Sequence, residues 1–430
     1  MSYTNFKTSF LSLLFVFIFS IAVQAQTPIT NWSEVYDPLT VRNLNIRISD
    51  ADWQTIVADE TFEIEVPAVF WMDGESDTYE ILIRRKSATP VGSKVSFRVD
   101  FTTVRWHDID KLSLENGDDN NVVSEGLSWY LHRVASNENY QPGLAAWANL
   151  KVHVEGLDEF GNPTVEELPQ GLYLNVELPD KHFLRHRGLW NSATTFFYKQ
   201  DDIGLPELKE TPNRGNSPAY NYLNYSPFRE STQIKGRKTG STGPSDATLQ
   251  QDLLNWINMD SMLRLGAVNA YTDNPDELFN KGKNFFWADY TTEVGDYRRL
   301  YFPWDLDASI RNTTGGIYGS LTVSRRKTSV SQHPYQQVIL NHPYFRAQYN
   351  AAMLSLIDGP MNAGNVISFL TQLESVLTPH LLADPNSKVG STEAEVAGFF
   401  AGLRECSMPH ASLLRQGWGL PFEKLGSEYE

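Results

Sequence analysis

The chain has 430 residues, a formal net charge of −16 and a pI near 5.0. A chain this acidic is repelled by the phosphate backbone of nucleic acids, so its charge argues against a nucleic-acid partner. Its one cysteine, Cys406, excludes an internal disulfide. Aromatic residues make up 12% of the chain and include 11 Trp, a content that suits either a large α+β core or a carbohydrate-binding surface.

The first 25 residues predict a secretory signal peptide. Lys7 precedes an apolar run from Phe10 to Val23, and small residues allow cleavage after Ala25. The run is shorter than the roughly 20 apolar residues of a membrane span. We therefore expect a bacterial protein that is secreted, periplasmic or on the cell surface. We expect no second apolar stretch of spanning length, and hence no membrane span after cleavage.

Alternating apolar and polar residues predict strands through much of the first half. A helix is predicted over 121–135, where apolar residues recur at helical spacing and Glu125 falls near the first turn. LAAWANLKVHVEG and GLYLNVEL predict a strand pair, and PDKHFLRHRG predicts a short helix. The earlier predicted strands are LNIRIS, FEIEVPAVFWMDG, YEILIRRK, KVSFRVDF and KLSLENG.

Residues 201–248 are rich in Asn, Gly, Pro and Ser, which predicts a long loop insertion. Helical periodicity resumes at 249–270, the strands KNFFWADY and RRLYFPWD follow, and the chain is mainly helical after about residue 330. The predicted class is α+β. The predicted segments are a signal peptide at 1–25, a lead-in strand segment at 26–58, a core at 59–330 and a helical subdomain at 331–430.

Two acidic residues end the apolar run YFPWDLDAS. Side chains two residues apart on a strand share a face, so Asp305 and Asp307 are expected to point the same way. Two carboxylates that close repel each other unless a cation, a base or water relieves them. The pair therefore predicts a site that attracts a cation.

Two further polar groups fit the parts of a kinase site. Asp276 and Asn284 lie in DNPDELFNKGKNFFW, while Lys94 enters an early strand and Glu125 lies on the next helix. In kinases a loop Asp accepts the hydroxyl proton, an Asn and a later Asp bind Mg²⁺, and a Lys paired with a helix Glu orients the phosphates. The glycine-rich loop, HRD, DFG and Walker A motifs are missing from the sequence. On these residues alone, a solvated strand lysine and a polar loop remain the alternatives.

Several segments in series resemble the spore-coat protein H (CotH) kinase family, over about residues 60–415. The resemblance implies an atypical protein-kinase-like fold and an exported phosphotransferase. It would use ATP with Mg²⁺ or Mn²⁺ to modify Ser or Thr hydroxyls of a secreted or cell-surface protein. The matching segments are IRRKSATPVGSKVSFRVDF, VVSEGLSWYLHRV, GLYLNVELPDKHFLRHR, FFYK, NPDELFNKGKNFFWAD, YFPWDLDAS and HPYFRAQYNAAMLSLIDGPMNAGNVISFL.

The resemblance also implies residue roles. It makes Asp276 the catalytic base and Lys94 the phosphate-contacting lysine, with Arg98 as its rival. The remaining implied roles are Glu125 as the helix partner of Lys94, Asn284 and Asp305 as metal ligands with Asp307 beside them, and Glu177 and Lys181 as residues that shape the nucleotide pocket.

The sequence departs from the family pattern around the base. Pro275 stands where an aromatic residue is common, and Glu277 stands where glycine is common. Proline stiffens the approach to Asp276, and RRKSAT lacks a glycine often found in the phosphate-covering loop. These departures favour an alternative, a catalytically weak or inactive kinase-fold scaffold. His182 and His186 near Asp180 have metal-ligand spacing, but without a third ligand we interpret them as solvated or pocket-wall histidines.

Overall fold

The computed structural model describes residues 29–418, apart from 87–89, 92–93, 119, 201–206, 211–249, 252, 256, 280, 293–294, 311–338 and 341. The predicted signal peptide and most of the predicted insertion at 201–248 lie outside these residues. In the described part, strands dominate the N-terminal half and helices the C-terminal part. The predicted α+β class is therefore confirmed.

Seven strands close into a barrel in the order β1-β2-β3-β4-β5-β7-β6. Neighbours run antiparallel except β1 and β6, whose parallel pairing closes the barrel. Apolar residues alternate along each strand, so one side of each fills the interior. The predicted lead-in strand segment at 26–58 supplies β1, but its residues Asp50–Ala58 form a helix, so the strand prediction is corrected there. The strands are β1 Arg42–Ser49, β2 Val66–Met72, β3 Tyr79–Arg85, β4 Phe97–Phe101, β5 Lys111–Glu115, β6 Ala145–Leu157 and β7 Pro163–Glu177.

Two helices pack on the barrel. Helix α1, Asp50–Ala58, begins at Ser49, whose side chain accepts from the N–H of Asp52, and it buries Trp53. Helix α2, Val122–Val134, matches the predicted helix and is capped by the Asn121 side chain. Gly126 lets α2 approach β6 closely, because a Cβ there would lie 2.3 Å from the Trp147 ring. This contact fixes the first turn of α2, and with it Glu125, against the outer face of the barrel.

A four-stranded antiparallel sheet in the order β11-β10-β8-β9 lies in a second hydrophobic core. Strand β9 falls within the predicted loop at 201–248, so that prediction is corrected for 207–210. The helix predicted over 249–270 is also corrected, because Ile257 instead bridges to Arg299 beside β11. The elements are α3 Lys181–His186, β8 Phe196–Gln200, β9 Glu207–Glu210, α4 Met259–Tyr271, β10 Phe285–Thr291 and β11 Tyr297–Pro303.

Three C-terminal helices complete this core: α5 Pro343–Asp358, α6 Ala363–Ala383 and α7 Glu393–Trp418. By length and composition α6 could cross a membrane, contrary to the expectation that no second apolar stretch would reach that length. Its packing is that of a core helix, because one apolar stripe is buried against the protein. The stripe comprises Val366, Phe369, Leu370, Leu373, Leu377 and Leu381.

Candidate active site

Strands β10 and β11 bring two of the predicted metal ligands together. Phe285 pairs with Pro303, so the residue before β10, Asn284, faces the residue after β11, Trp304. The Trp304 N–H donates to the Asn284 carbonyl at 3.2 Å. Asn284 and Asp305 both have left-handed backbones, with φ of 58° and 54°. Asn and Asp adopt this conformation more readily than other side chains that carry a Cβ, which explains why these residues occupy the strand ends.

Four carboxyl groups from separate parts of the chain interact here, and we call them the acid cluster: Glu115, Glu125, Asp305 and Asp307. Glu125 is 4% exposed, and within the described part of the chain its carboxyl group accepts a long hydrogen bond of 3.4 Å from Trp129 Nε1. Burial, followed by the charges of the other three acids, raises the pKa of Glu125 well above its usual range. Glu125 is therefore held in its neutral form by burial and by the acids around it.

Asp305 is the solvent-exposed member of the acid cluster. Its side chain is exposed, yet surrounding protein still desolvates it, as on the wall of a cleft. This burial is the largest cause of a raised pKa, and Glu115 adds to it. Lys86, Lys199 and Lys283 act in the opposite direction. Three cations from different elements therefore surround one carboxylate.

Lys86 is one of the lysines near Asp305 that the sequence analysis did not predict. It follows β3 directly, and its Nζ donates to Ser113 Oγ at 2.8 Å and forms an ion pair with Glu115. The same Nζ lies 4.9 Å from the ring centroid of Trp304, the residue before Asp305. Strand alternation could have revealed it, because Arg85 points into the barrel and its neighbour Lys86 must point out.

Lys94 lies elsewhere, so its predicted pairing with Glu125 is not formed. Its Nζ donates to the Leu172 carbonyl at 2.5 Å and to Asp384 Oδ2 at 3.1 Å. Both side chains of the ion pair are only 2% exposed. Asp384 also accepts from the Leu172 N–H at 2.9 Å, so the pair ties the end of α6 to β7. An ammonium held this way does not contact the acid cluster.

The contacts of Arg98 also differ from its predicted role. Arg98 lies on β4 and binds Asp100 through two nitrogens, at 2.7 and 2.9 Å. This pair belongs to the outer barrel surface, where Lys111 approaches the same carboxylate at 3.8 Å. These described contacts do not bring Arg98 to the acid cluster.

Glu177 and Lys181, which the resemblance assigns to the nucleotide pocket, lie near α3. Arg187 donates to both Glu177 oxygens at 2.7 and 2.8 Å, and the Leu144 N–H donates at 3.1 Å. Arg187 outweighs the effect of burial, so the pKa of Glu177 is lowered. Lys181 begins α3 and is half-buried. Glu177 is thus an ionised partner for Arg187, and its described contacts do not include the acid cluster.

Asp276 lies in the loop between α4 and β10. Lys281 and Lys283 both pair with its carboxylate, Lys283 at 3.1 Å. Burial favours the neutral form of Asp276, but the hydrogen bonds and charges of the two lysines outweigh it and lower the pKa. Because Lys283 also acts on Asp305, one lysine electrostatically links the loop acid to the cleft.

The oxygen donors suit a magnesium ion that binds together with phosphates. Among the described residues, no group of three His, Cys, Asp or Glu side chains could hold a metal ion on its own. Mg²⁺ commonly uses one or two carboxylates and completes its shell with water and substrate phosphates. Asn284 and Asp305 lie at the ends of adjacent strands, whereas Asp307 lies in a 3₁₀ turn, Leu306–Ala308, after the end of β11. The strand geometry expected to point Asp305 and Asp307 the same way is therefore corrected, because the strand ends at Pro303. One amide and two carboxylates still fit that mode of binding.

His182 and His186 line a small pocket beside the N-terminal segment, consistent with pocket-wall histidines. His182 Nε2 contacts Asp110 at 2.6 Å, and the His186 ring stacks on Trp32 with centroids 4.0 Å apart. Neither contact involves the acid cluster.

A family model described as CotH kinase protein matches residues 90–403. The matched range contains Asp276, Asn284, Asp305 and Asp307, and it begins four residues after Lys86. No curated protein matched the chain.

Proposed function

Because this chain belongs to the CotH kinase family, we propose that it is an exported phosphotransferase that transfers the γ-phosphoryl group of ATP to a Ser or Thr hydroxyl. The acceptor is a secreted or cell-surface protein, since the first 25 residues predict export. The observation that carries the proposal is the meeting of Asn284 and Asp305 at the ends of β10 and β11, beside Lys86. These are an amide, a carboxylate and an ammonium in the combination that phosphate transfer requires.

Lys86 is the phosphate-contacting lysine in this proposal, in place of Lys94. Its ammonium lies over Trp304 and is charged next to Asp305. Glu115 and Ser113 hold it by an ion pair and a hydrogen bond, which is the positioning that a kinase obtains from its helix glutamate. Lys94 is already paired with Asp384 and buried, so it supports the fold.

Asn284, Asp305 and Asp307 are the residues that would hold Mg²⁺ or Mn²⁺. When bound, the ion offsets negative charge on the phosphates. The left-handed backbones of Asn284 and Asp305 fix their direction before a ligand arrives, which lowers the cost of ordering them. The carboxylate oxygens of Asp305 and Asp307 are the type of ligand that such a cation prefers.

Asp276 is the base in this proposal. The two lysines lower its pKa, so it is ionised at neutral pH and able to accept a proton. The acceptor hydroxyl gives its proton to Asp276, its oxygen bonds to the γ-phosphorus, and the bond to the β-phosphate oxygen breaks to release ADP.

The alternative, a kinase-fold scaffold with little or no activity, is also argued from Asp276. Two lysines pair with Asp276, and a carboxylate stabilised in this way is a weaker base. Pro275 and Glu277 flank it. Under this alternative the chain keeps its fold and binds nucleotide or cation without transferring phosphate.

A transfer assay with labelled ATP distinguishes the phosphotransferase from the scaffold. The mature chain is incubated with γ-labelled ATP and either Mg²⁺ or Mn²⁺, together with Asp276→Asn, Asp305→Asn and the exposed control Asp77→Asn. We expect label on the wild type and the control and its loss in both cleft variants. Transfer that survives Asp305→Asn contradicts the proposal, and nucleotide-induced thermal stabilisation without label supports the scaffold.

A further inference from the structure

Strands β6 and β7 form a long hairpin that extends past its neighbours in the barrel. Strand β1 pairs with β6 only as far as Glu155, and β5 pairs with β7 only over Leu174–Glu177. In the described part of the chain, β6 and β7 pair only with each other beyond these limits, as far as Leu157 and Pro163. We call residues 156–168 the hairpin tip. No step of the proposed phosphotransfer uses it.

The turn at the end of the hairpin tip holds an aromatic ring in solvent. Asp158 Oδ1 accepts from the N–H of Phe160 at 2.9 Å and from the N–H of Asn162 at 2.8 Å. Gly161 supplies the left-handed backbone of the turn, with φ of 81°. Phe160 is nevertheless 79% exposed, so its ring contributes little to the core of this chain. Exposed aromatic rings on preformed elements often anchor protein–protein interfaces.

Two further apolar side chains, Leu157 and Val165, are exposed beside this ring. Leu157 lies opposite Pro163 and Val165 lies opposite Glu155, so these side chains share the outward face of the strand pair. Of the seven large apolar residues that are exposed in the described structure, three lie between 157 and 165. Exposed apolar residues that cluster mark interaction sites, whereas single ones need no explanation.

One edge of β7 is open at the hairpin tip. From Pro163 to Pro169 the strand pairs with β6, and no described strand lies along its other edge. An open edge presents N–H and C=O groups that an extended segment can pair with as an added strand. The two prolines have no N–H, so the donors of this edge come from residues 164–168.

The charge of the hairpin tip favours a basic partner. Residues 152–180 contain no Lys or Arg, whereas five acidic residues lie between 155 and 167. Two of these acids pair with basic residues of the barrel. Glu159 and Glu166 are exposed and form no ion pair within the described residues. A Lys or Arg of a partner would therefore meet opposite charge, whereas a second copy of this chain would bring like charges together.

We propose that the hairpin tip binds an extended, basic segment of another protein, which adds a strand to the open edge of β7. Val165 and Glu166 point to opposite faces, so a segment that alternates apolar and basic residues matches both. Its apolar side chains pack against Val165 and Phe160, and its basic side chains pair with Glu166. Backbone hydrogen bonds supply affinity, and side-chain alternation supplies selectivity.

A fluorescently labelled peptide of about eight alternating Lys and Val residues tests this proposal, because it is long enough to cover the open edge. Anisotropy titration with the mature chain is expected to show saturable binding that weakens as salt is added. A Glu–Val peptide of the same length should not bind. The Lys–Val peptide methylated at every backbone nitrogen should not bind either, since it has no N–H to donate to β7.

Substitutions locate the binding on the hairpin tip. Phe160→Ser should weaken peptide binding by roughly tenfold or more, as loss of an aromatic anchor does, and Glu166→Lys should weaken it by reversing the charge beside the edge. Val104→Ser and Asp77→Lys are the matched controls, because both residues are exposed and lie outside the hairpin tip. Both controls should leave binding unchanged, and thermal unfolding checks that all four variants are folded.

Absence of peptide binding to the wild type overturns the proposal, as does equal binding of the methylated peptide. Equal losses in Glu166→Lys and Asp77→Lys, or in Phe160→Ser and Val104→Ser, also overturn it, because the peptide would then follow the net charge of the chain. Sedimentation gives a further check: a wild-type dimer that Phe160→Ser dissociates would show that a second copy occupies the hairpin tip. Phosphotransfer is assayed separately, so failure here leaves the proposed function untouched.

Discussion

Two regions of the molecule hold charged side chains away from bulk water. One is the contact between α6 and β7, and the other is the acid cluster. The charges in the two regions are balanced differently. At the first, Lys94, Asp384 and the backbone of Leu172 satisfy one another. At the second, four carboxyl groups meet, and burial and mutual repulsion raise the pKa of Glu125 and Asp305. A buried pair whose charges compensate each other supports the fold, whereas clustered acids with raised pKa values are the pattern expected of a functional site.

Removing one partner of the balanced pair should have the largest effect. Asp384→Ala leaves the Lys94 ammonium buried without a counter-charge, and we expect it to lower the free energy of unfolding by about 3–5 kcal/mol. Urea denaturation measures the loss. The double variant Lys94→Met, Asp384→Leu should recover much of it, because it buries no charge. Equal stability of Asp384→Ala and wild type contradicts a structural role for the pair.

At the cleft beside Asp305 we expect the opposite result, a large loss of activity with little change in stability. Lys86→Met removes the ammonium that we propose contacts the phosphates, and we expect phosphotransfer to fall about 10²–10³-fold, as for other preorganised donors. The urea midpoint should change little. Lys111→Met is the matched control, since the Lys111 side chain is 27% exposed, as is that of Lys86, but lies near Asp100 and Asp180. Equal losses in the two variants contradict the assignment of Lys86.

The pH dependence of transfer tests the link between Asp276 and its lysines. Because Lys281 and Lys283 lower the pKa of Asp276, its ionised form persists from neutral pH down to below the usual value of 3.8. The stability that this carboxylate contributes is present above 3.8 and is lost as pH falls through the lowered pKa. The double variant Lys281→Met, Lys283→Met should therefore move the acid limb of the rate profile to higher pH. An unmoved limb contradicts Asp276 as the titrating base.

The smallest effect is expected at the barrel surface. Arg98→Ala removes an ion pair with Asp100 on a partly exposed face, and such pairs contribute about 0–1 kcal/mol. We expect a small drop in the urea midpoint and no change in phosphotransfer per folded molecule. A large loss of transfer would restore Arg98 as a phosphate ligand.

Sequence periodicity predicted most of the fold because it is a local property. Strand alternation located β1 to β7, and helical spacing located α2. The two errors at 207–210 and near Ile257 occur where partners distant in the chain decide the structure. Residues 207–210 form a strand because β8 lies beside them, and Ile257 leaves the helix to bridge to Arg299.

The residues of the candidate site also fall into two groups, those that local sequence patterns predicted and those whose contacts depend on distant parts of the chain. Asn284 and Asp305 lie together because two adjacent strands bring them there, and the sequence places each at a strand end. The partner of Lys94 could not be read from its neighbours, because Asp384 lies at the end of α6 near the other end of the chain. Strand alternation could have identified Lys86, but three successive basic residues, Arg84, Arg85 and Lys86, obscured which of them face the cleft.

The parallel pairing of β1 with β6 has a consequence for how the chain folds during synthesis. Strand β1 is synthesised before the rest of the barrel, yet its closing partner follows only after β2 to β5 and α2. Until then one edge of β1 stays open, and such an edge can pair with other chains. The counter-ion of Lys94 emerges later still, after α6. Folding dominated by such distant pairings is slow, so a chain released before residue 384 should depend on chaperones to stay soluble.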